Sequence, residues 1–193
     1  VTVTDDTNPT ITAPDAVSVS TNDGCTAIEV SLGSAIASDN CSVASTTSDA
    51  PTAFDLGETT VTWTVIDGSG NTATATQTVT VTDTTNPTIT APDAVSVSTN
   101  DGCTATEVSL GSASASDNCS VASTTSDAPT AFDLGETTVT WTVTDGSGNT
   151  ATATQTVTIT DNTNPTVICN DLTLTLEEGI AVISAEDINN GSF

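Results

Sequence analysis

The 193-residue chain has no lysine, arginine or histidine, and no methionine or tyrosine. Its 25 acidic residues give a formal net charge of -25, with no cationic side chain to offset them. Salt bridges to Lys or Arg are therefore impossible, and so are the Lys–Asn isopeptide cross-links that stiffen some surface fibres. Nothing here displaces counterions from a phosphate backbone, which excludes nucleic acid as a partner. Serine has neither a histidine nor a lysine to activate it, so the usual nucleophile–base pairs are missing. Paired carboxylates for glycoside hydrolysis need a cleft, which small domains with short loops scarcely provide. The expectation is a protein without catalytic activity. No apolar run approaches the roughly 18 residues that span a bilayer, so membrane insertion is not expected. There is no charged, apolar leader at Val1, and the chain starts and stops in mid-pattern, as an excerpt of something longer would.

What is present is β-forming. Nearly a quarter of the residues are threonine, valine is abundant, and aromatics are 3%. So few aromatics and so much charge of one sign resemble a disordered composition. Strict alternation of apolar and polar residues argues instead for strands. A surface of one charge sign suits cations, water and neutral or basic macromolecules as partners.

The chain repeats itself every 78 residues: Pro9, Pro87 and Pro165, Cys25 and Cys103, Cys41 and Cys119, Trp63 and Trp141. Residues 5–82 and 83–160 differ only at Asp6/Thr84, Ile28/Thr106, Ile36/Ser114, Ile66/Thr144 and Val81/Ile159. That period is too long for most solenoids and suits a tandem array of domains. The expected division is the end of a preceding unit's last strand at 1–4, unit 1 at 5–82, unit 2 at 83–160 and a divergent partial unit at 161–193.

Within a unit, Val61, Trp63 and Val65 share one strand face and Thr60, Thr62 and Thr64 the other. Ala73, Ala75, Val79 and Val81 alternate with threonines in the next run, where Gln77 interrupts the apolar side and would mark the strand leaving the core. DGSGN (Asp67–Asn71) joins these two runs as a tight turn. Shorter segments at Thr10–Ala13, Ala16–Ser20, Ala27–Leu32, Ala35–Ala37 and Ser42–Thr47 bring the count to about seven strands. The pattern predicts an all-β fold of tandem immunoglobulin-like β-sandwiches joined end to end. The expected core is Ile11, Val17, Val19, Val30, Leu32, Val43, Phe54, Leu56, Val61, Trp63 and Val65. The linker Asp83–Asn86 before Pro87 is short and stiff, since proline fixes its own φ and extends the residue before it.

Such a thin core calls for fasteners. Reading the segments as successive antiparallel strands puts the linker, the loop holding Cys25, the loop before Cys41 and the Asp67–Asn71 turn at one pole. That predicts Cys25–Cys41 and Cys103–Cys119 disulfides, each closing a loop of about 16 residues worth roughly 3 kcal/mol. Bridges of this kind imply an oxidising, extracellular location. Cys169 stands where unit 1 has Ala13, with its partner expected beyond Phe193. Two cysteines per unit and no histidine do not make a zinc site. Oxygen donors are plentiful at the same pole: Asp5, Asp6, Asn8, Asp23, Asp39, Asp67 and Asn71 in unit 1, and Asp83, Asn86, Asp101, Asp117, Asp145 and Asn149 in unit 2. Crowded carboxylates would be relieved by Ca²⁺, which takes six to eight oxygens. Asp, Asn and Gly also belong in turns for backbone reasons, so solvated turn residues are the other reading.

DTTNPTI (Asp83–Ile89), FDLGETTVTWTVTDGSGNTA (Phe132–Ala151) and TVTIT (Thr156–Thr160) resemble the hyalin repeat, or HYR-like, domain, over both units and the opening of the third. The DNC placement and the NPT-IC opening of the third unit resemble versions in very large surface proteins of Bacteroidetes-type bacteria. These are adhesins, including gliding adhesins, exported by the type IX system. Family units commonly carry a cysteine near Ala13 and another in the last strand. Units 1 and 2 lack both. The resemblance implies an immunoglobulin-like fold and a role in adhesion or extracellular architecture at the cell surface. The expected role is a stalk that holds a binding tip away from the cell. Its partners would be adjacent repeats of the same chain, with other surface proteins or polysaccharide met through regions outside this segment. The alternatives are a module that binds polysaccharide directly, or a segment of a laterally assembled filament.

Overall fold

The computed structural model describes residues 1–166; the rest of the divergent third unit, residues 167–193 with Cys169, lies outside them. Each 78-residue repeat folds into eight strands with no helix. In the first repeat these are β1 (Thr10–Thr12), β2 (Val17–Ser20), β3 (Thr26–Ile28), β4 (Ile36–Ser38), β5 (Val43–Ser48), β6 (Ala53–Asp55), β7 (Gly57–Asp67) and β8 (Thr72–Thr82). The second repeats them as β9 (Thr88–Thr90), β10 (Val95–Ser98), β11 (Thr104–Thr106), β12 (Ser114–Ser116), β13 (Val121–Ser126), β14 (Ala131–Asp133), β15 (Gly135–Asp145) and β16 (Thr150–Thr160).

The main sheet runs β2-β8-β7-β5, and its counterpart β10-β16-β15-β13; the opposite layer is built from the pairs β1-β4 and β3-β6. These are tandem immunoglobulin-like β-sandwiches, with one strand more per repeat than the sequence pattern suggests. The extra strand is β6, whose three residues Ala53–Asp55 are too few to show a period. β3 is shorter than expected because Glu29 takes a φ of 57°, a left-handed conformation that ends the extended run.

The alternation of the long hairpin holds. Val61, Trp63, Val65, Val79 and Val81 are buried, and Phe54 and Ala27 close over them from the other layer. Ile11, Val17, Val19, Val30 and Leu32 pack against this cluster partly buried. Two expected core residues are outside it: Val43 and Leu56 are exposed. Val43 begins the edge strand β5, every residue of which faces solvent, and Leu56 sits in the break between β6 and β7. Gln77 also departs from expectation. It does not mark an exit from the core but is 2% exposed within it. Its Oε1 accepts the Trp63 indole N–H at 3.1 Å, and its Nε2 donates to Asp15 O at 2.7 Å and Leu32 O at 3.0 Å. Gln155 repeats the arrangement with Trp141, Asp93 and Leu110.

The second strand runs against the simple antiparallel reading. β2 pairs parallel to β8, with Val17 opposite Val79 and Ser20 opposite Thr82. β1, by contrast, pairs antiparallel with β4 in the opposite layer. β1 and β2 are thus consecutive pieces of one direction of travel that changes sheets at Ala13–Ala16. The loop after β2 consequently emerges beside Thr82, at the end of the repeat away from the Asp67–Asn71 turn.

By proximity the described residues form two compact units that do not follow the repeat boundary. One holds Val1–Asp93, Leu110–Ala128 and Thr138–Gln155; the other holds Ala94–Ser109, Pro129–Thr137 and the residues from Thr156 on.

Candidate functional site

Three loops of the first repeat meet at the end that carries the hairpin turn. Asp67 organises that turn: its Oδ1 accepts the Ser69 and Asn71 backbone N–H groups at 2.9 and 2.7 Å, and its Oδ2 accepts the Asn71 side-chain amide at 2.7 Å. Asn71 also donates to Asp5 O at 3.2 Å, tying the turn to the linker. Gly68 donates its N–H to Ser42 O at 3.0 Å, and a Cβ on Gly68 would lie 2.7 Å from Ser42 Oγ, so a larger residue would have to turn the Ser42 hydroxyl aside. Asp39 caps the neighbouring loop, its Oδ2 accepting the Cys41 and Ser42 N–H groups at 2.8 and 3.1 Å. Carboxylate oxygens of Asp5, Asp39 and Asp67 all lie within 4.8 Å of one another.

Electrostatics follow from these contacts. Burial pushes the Asp67 carboxyl up, but the Asn71 side chain and the turn's N–H groups together outweigh it and hold it below its ordinary value. Asp145 behaves in the same way. For Asp5 the Thr7 N–H dominates and lowers it. Cys41 is pushed up, first by its hydrogen bond with Asp5 and then by the Asp5 charge. A lowered carboxyl contributes stability above its unfolded pKa and loses it as pH falls through the folded value. Melting in chelator should therefore show a constant advantage of the native chain over Asp67→Asn from pH 7 to about 5, which starts to shrink at about pH 4 and is lost only as the pH falls through the lowered folded value. An advantage that persists unchanged in acid would contradict this account.

The second acidic group forms around Asp83, which is 6% exposed. Its Oδ1 accepts the Thr85 N–H at 3.0 Å and the Thr21 hydroxyl at 3.4 Å. Asp83, Asp117 and Cys119 each place a ligand atom within 4.8 Å of the others. Asp83 Oδ2 and Asp117 Oδ1 are both buried without a hydrogen-bond partner. Asp145 stays with its own turn, holding Ser147 and Asn149, while Asn149 donates to Asp83 O at 3.2 Å.

The predicted single pole therefore divides in two. Asp5, Asp39, Asp67 and Asn71 come together, whereas Asp23 does not join them: it is exposed and pairs with Thr26 beside the end of β8. Asp101 does the same with Thr104. The cause is the parallel β2–β8 pairing, which carries that loop to the other end of the repeat. Asp6, Asn8 and Asn86 are exposed and add no ligand atom to either cluster.

The same inversion corrects the cysteines. Cys25 is bonded not to Cys41 but to Cys119, 94 residues on, with Cα atoms 4.8 Å apart. The expected Cys103–Cys119 bond is likewise absent, and Cys41 and Cys103 are exposed and unpaired among the described residues. Asn118 adjoins the bond, its Nδ2 donating to Gly24 O at 3.1 Å and to Thr21 Oγ1 and Asp83 Oδ1 at 3.4 Å. Cys25, Asp83, Asn118 and Cys119 all belong to the first compact unit. As a disulfide sulfur, Cys119 is no thiolate ligand. The donors left for a metal are oxygens, and two orphaned carboxylate oxygens fit a hard cation rather than zinc.

Duplicated sandwiches with acidic loop clusters define a class of all-β tandem repeat modules. A family model described as the HYR domain matches residues 4–81 and again 82–159, and the chain belongs to that family. Among solved structures it is similar to protocadherin gamma C5 EC1-3 (14% identity, 79% of this chain and 68% of that one, TM-score 0.41). It is also similar to Drosophila N-cadherin EC1-4 (12%, 80% and 50%, 0.43) and human CDH23 EC21-23 (15%, 86% and 73%, 0.39). The chain thus spans half the length of the N-cadherin fragment. No curated protein matches the sequence.

Proposed function

We propose that the chain is a non-catalytic stalk segment of an extracellular, cell-surface adhesin, its tandem HYR repeats holding a binding region away from the cell. The Cys25–Cys119 bond carries this reading, because it fastens residues of consecutive, nearly identical repeats to one another covalently. A bond of this kind serves a protein whose task is length and stiffness outside the cell. Calcium is the second fastener in this reading. Asp83 and Asp117 hold it through their unpartnered oxygens, and Asp5, Asp39 and Asp67 form the matching group in the first repeat. Bound there, the cation offsets carboxylate repulsion that no basic residue relieves.

Sites in extracellular modules bind calcium at about 10⁻⁴–10⁻³ M. At 10 mM the expected stabilisation is then roughly 1.4–2.7 kcal/mol, a rise of several degrees in Tm. Asp83→Asn together with Asp117→Asn removes the part due to the second cluster while leaving the disulfide in place. Small-angle scattering tests the stalk itself. The pair-distance distribution should broaden on adding chelator and reductant to the oxidised, calcium-loaded chain. A distribution indifferent to both would count against a stiffened stalk.

A further inference from the structure

Cys41 and Cys103 remain unpaired among the described residues, yet each sits in a loop that duplicates one half of the Cys25–Cys119 bond. On one side, the Asn22–Cys25 loop is held by Thr21 N–H to Thr82 O, by the Asp23–Thr26 pairing, and by Asn22 Oδ1 accepting the Ile28 N–H. The Asn100–Cys103 loop has the same set: Thr99 to Thr160, Asp101 with Thr104, and Asn100 with Thr106. Gly24 and Gly102 take φ values of 58° and 60°. On the other side, Asp117 Oδ2 accepts the Cys119 and Ser120 N–H groups at 2.8 and 3.1 Å, as Asp39 does for Cys41 and Ser42. Both free cysteines are thus held in the backbone conformation that their bonded counterparts use.

The surroundings differ in one respect. A Cβ on Gly24 would meet Asn118 O at 3.8 Å, while Gly102 has nothing within 4 Å among the described residues. Where Asn118 contacts Thr21, Gly24 and Asp83, the equivalent residues Thr99, Gly102 and Asp161 line an open hollow of about 520 Å³. The hollow is the counterpart of the place that the Asn118 side chain reaches.

We propose that Cys103 and Cys41 are the two halves of the same bond, each completed by another copy of this repeat. Cys103 plays the part of Cys25 toward the Asn40–Cys41 loop of a second copy of the chain, and Asn40 enters the hollow as Asn118 enters the first. Each such bond is a further rung of the kind that Cys25 and Cys119 make. Forming a rung takes a disulfide oxidant such as oxidised glutathione. One thiolate attacks it and releases glutathione; the second thiolate displaces another glutathione from the mixed disulfide, so two thiols are oxidised as one disulfide is reduced.

The 193-residue chain tests this directly, with Cys169→Ser as the background. Adding Cys41→Ser leaves Cys103 free, and adding Cys103→Ser leaves Cys41 free. Under a glutathione redox buffer the two chains mixed should give the crossed Cys103–Cys41 dimer, about tenfold above either like dimer, the advantage expected of one or two docking hydrogen bonds. Asn40→Ala in the Cys103→Ser chain should abolish the excess. Bonds are mapped after cleavage at carboxylates, since trypsin has no site in this sequence. Equal amounts of crossed and like dimers would overturn the proposal, as would a monomer in which Cys41 has taken Cys25 from Cys119. Folding is monitored separately by the Trp63 and Trp141 emission, which substitutions at the exposed Asn40, Cys41 and Cys103 should leave unchanged.

Discussion

Gln77→Leu is expected to lower the melting temperature of the first repeat by roughly 15 °C, on the scale of 4–8 °C per kcal/mol for a domain this small. Leucine keeps the volume and improves the apolar match to Val61, opposite which Gln77 stands in the hairpin. On hydrophobicity alone the substitution should stabilise. It does not, because three groups lose their partner at once. The Trp63 indole N–H loses its acceptor in a buried site, and the half-buried carbonyls of Asp15 and Leu32 lose their donor. Unsatisfied buried groups cost about 1–3 kcal/mol each, so even partial relaxation leaves a loss of about 3 kcal/mol. Gln77→Glu separates the contributions. It retains an acceptor for Trp63 but turns the donor facing two carbonyls into an anion, so it should be worse than leucine at neutral pH and recover in acid. Gln155→Leu should do the same to the second repeat. Thermal unfolding followed by tryptophan emission checks all three, and a Gln77→Leu protein melting within a degree or two of the original would remove the hydrogen-bonded core from this account.

Reduction, or Cys25→Ser, is expected to have the second large effect. The Cys25–Cys119 bond closes a loop of 94 residues. On the chain-entropy model that constrains the unfolded state by about 4–5 kcal/mol, well above the estimate for a bond within one repeat. Melting with and without reductant should therefore shift by more than 10 °C, and Cys41→Ser should leave the oxidised value unchanged. A Cys25–Cys41 bond predicts the opposite pattern for Cys41→Ser.

Much of this was legible in the residues. Period-two alternation placed Val61, Trp63, Val65, Val79 and Val81 inward, because a long hairpin with one buried face admits no other register. The 78-residue period fixed the tandem organisation. The misplaced loop and disulfide have one physical source. Thr10–Ala13 and Ala16–Ser20 look like two strands in a sequence, and their alternation is silent about direction. Nothing in it says that the chain continues straight on and changes sheets at Ala13–Ala16. That single unreadable step moved Asp23 and Cys25 to the wrong end, and with them the disulfide partner. Gln77 failed differently. A polar residue in an apolar row reads as the edge of the core, although a Trp two strand positions from its cross-strand neighbour supplies an indole N–H in need of an acceptor. Asp5, Asp39 and Asp67 were placed together because their loops border a hairpin turn whose position the alternation does determine.

The route of tension follows from the cross-link. A pull applied at the two termini of an oxidised molecule enters at Val1, passes through β1 and β2 to Cys25, and crosses the sulfur bridge to Cys119. Residues 26–118 hang as a slack side loop off that path. The β7–β8 hairpin, the most extensive hydrogen-bonded element of the first repeat, lies wholly inside it and carries no tension along its own backbone. Stretching such a molecule can strip β2 from β8, yet the enclosed segment, some 300 Å of extended chain at about 3.4 Å per residue, stays withheld until the bridge is reduced.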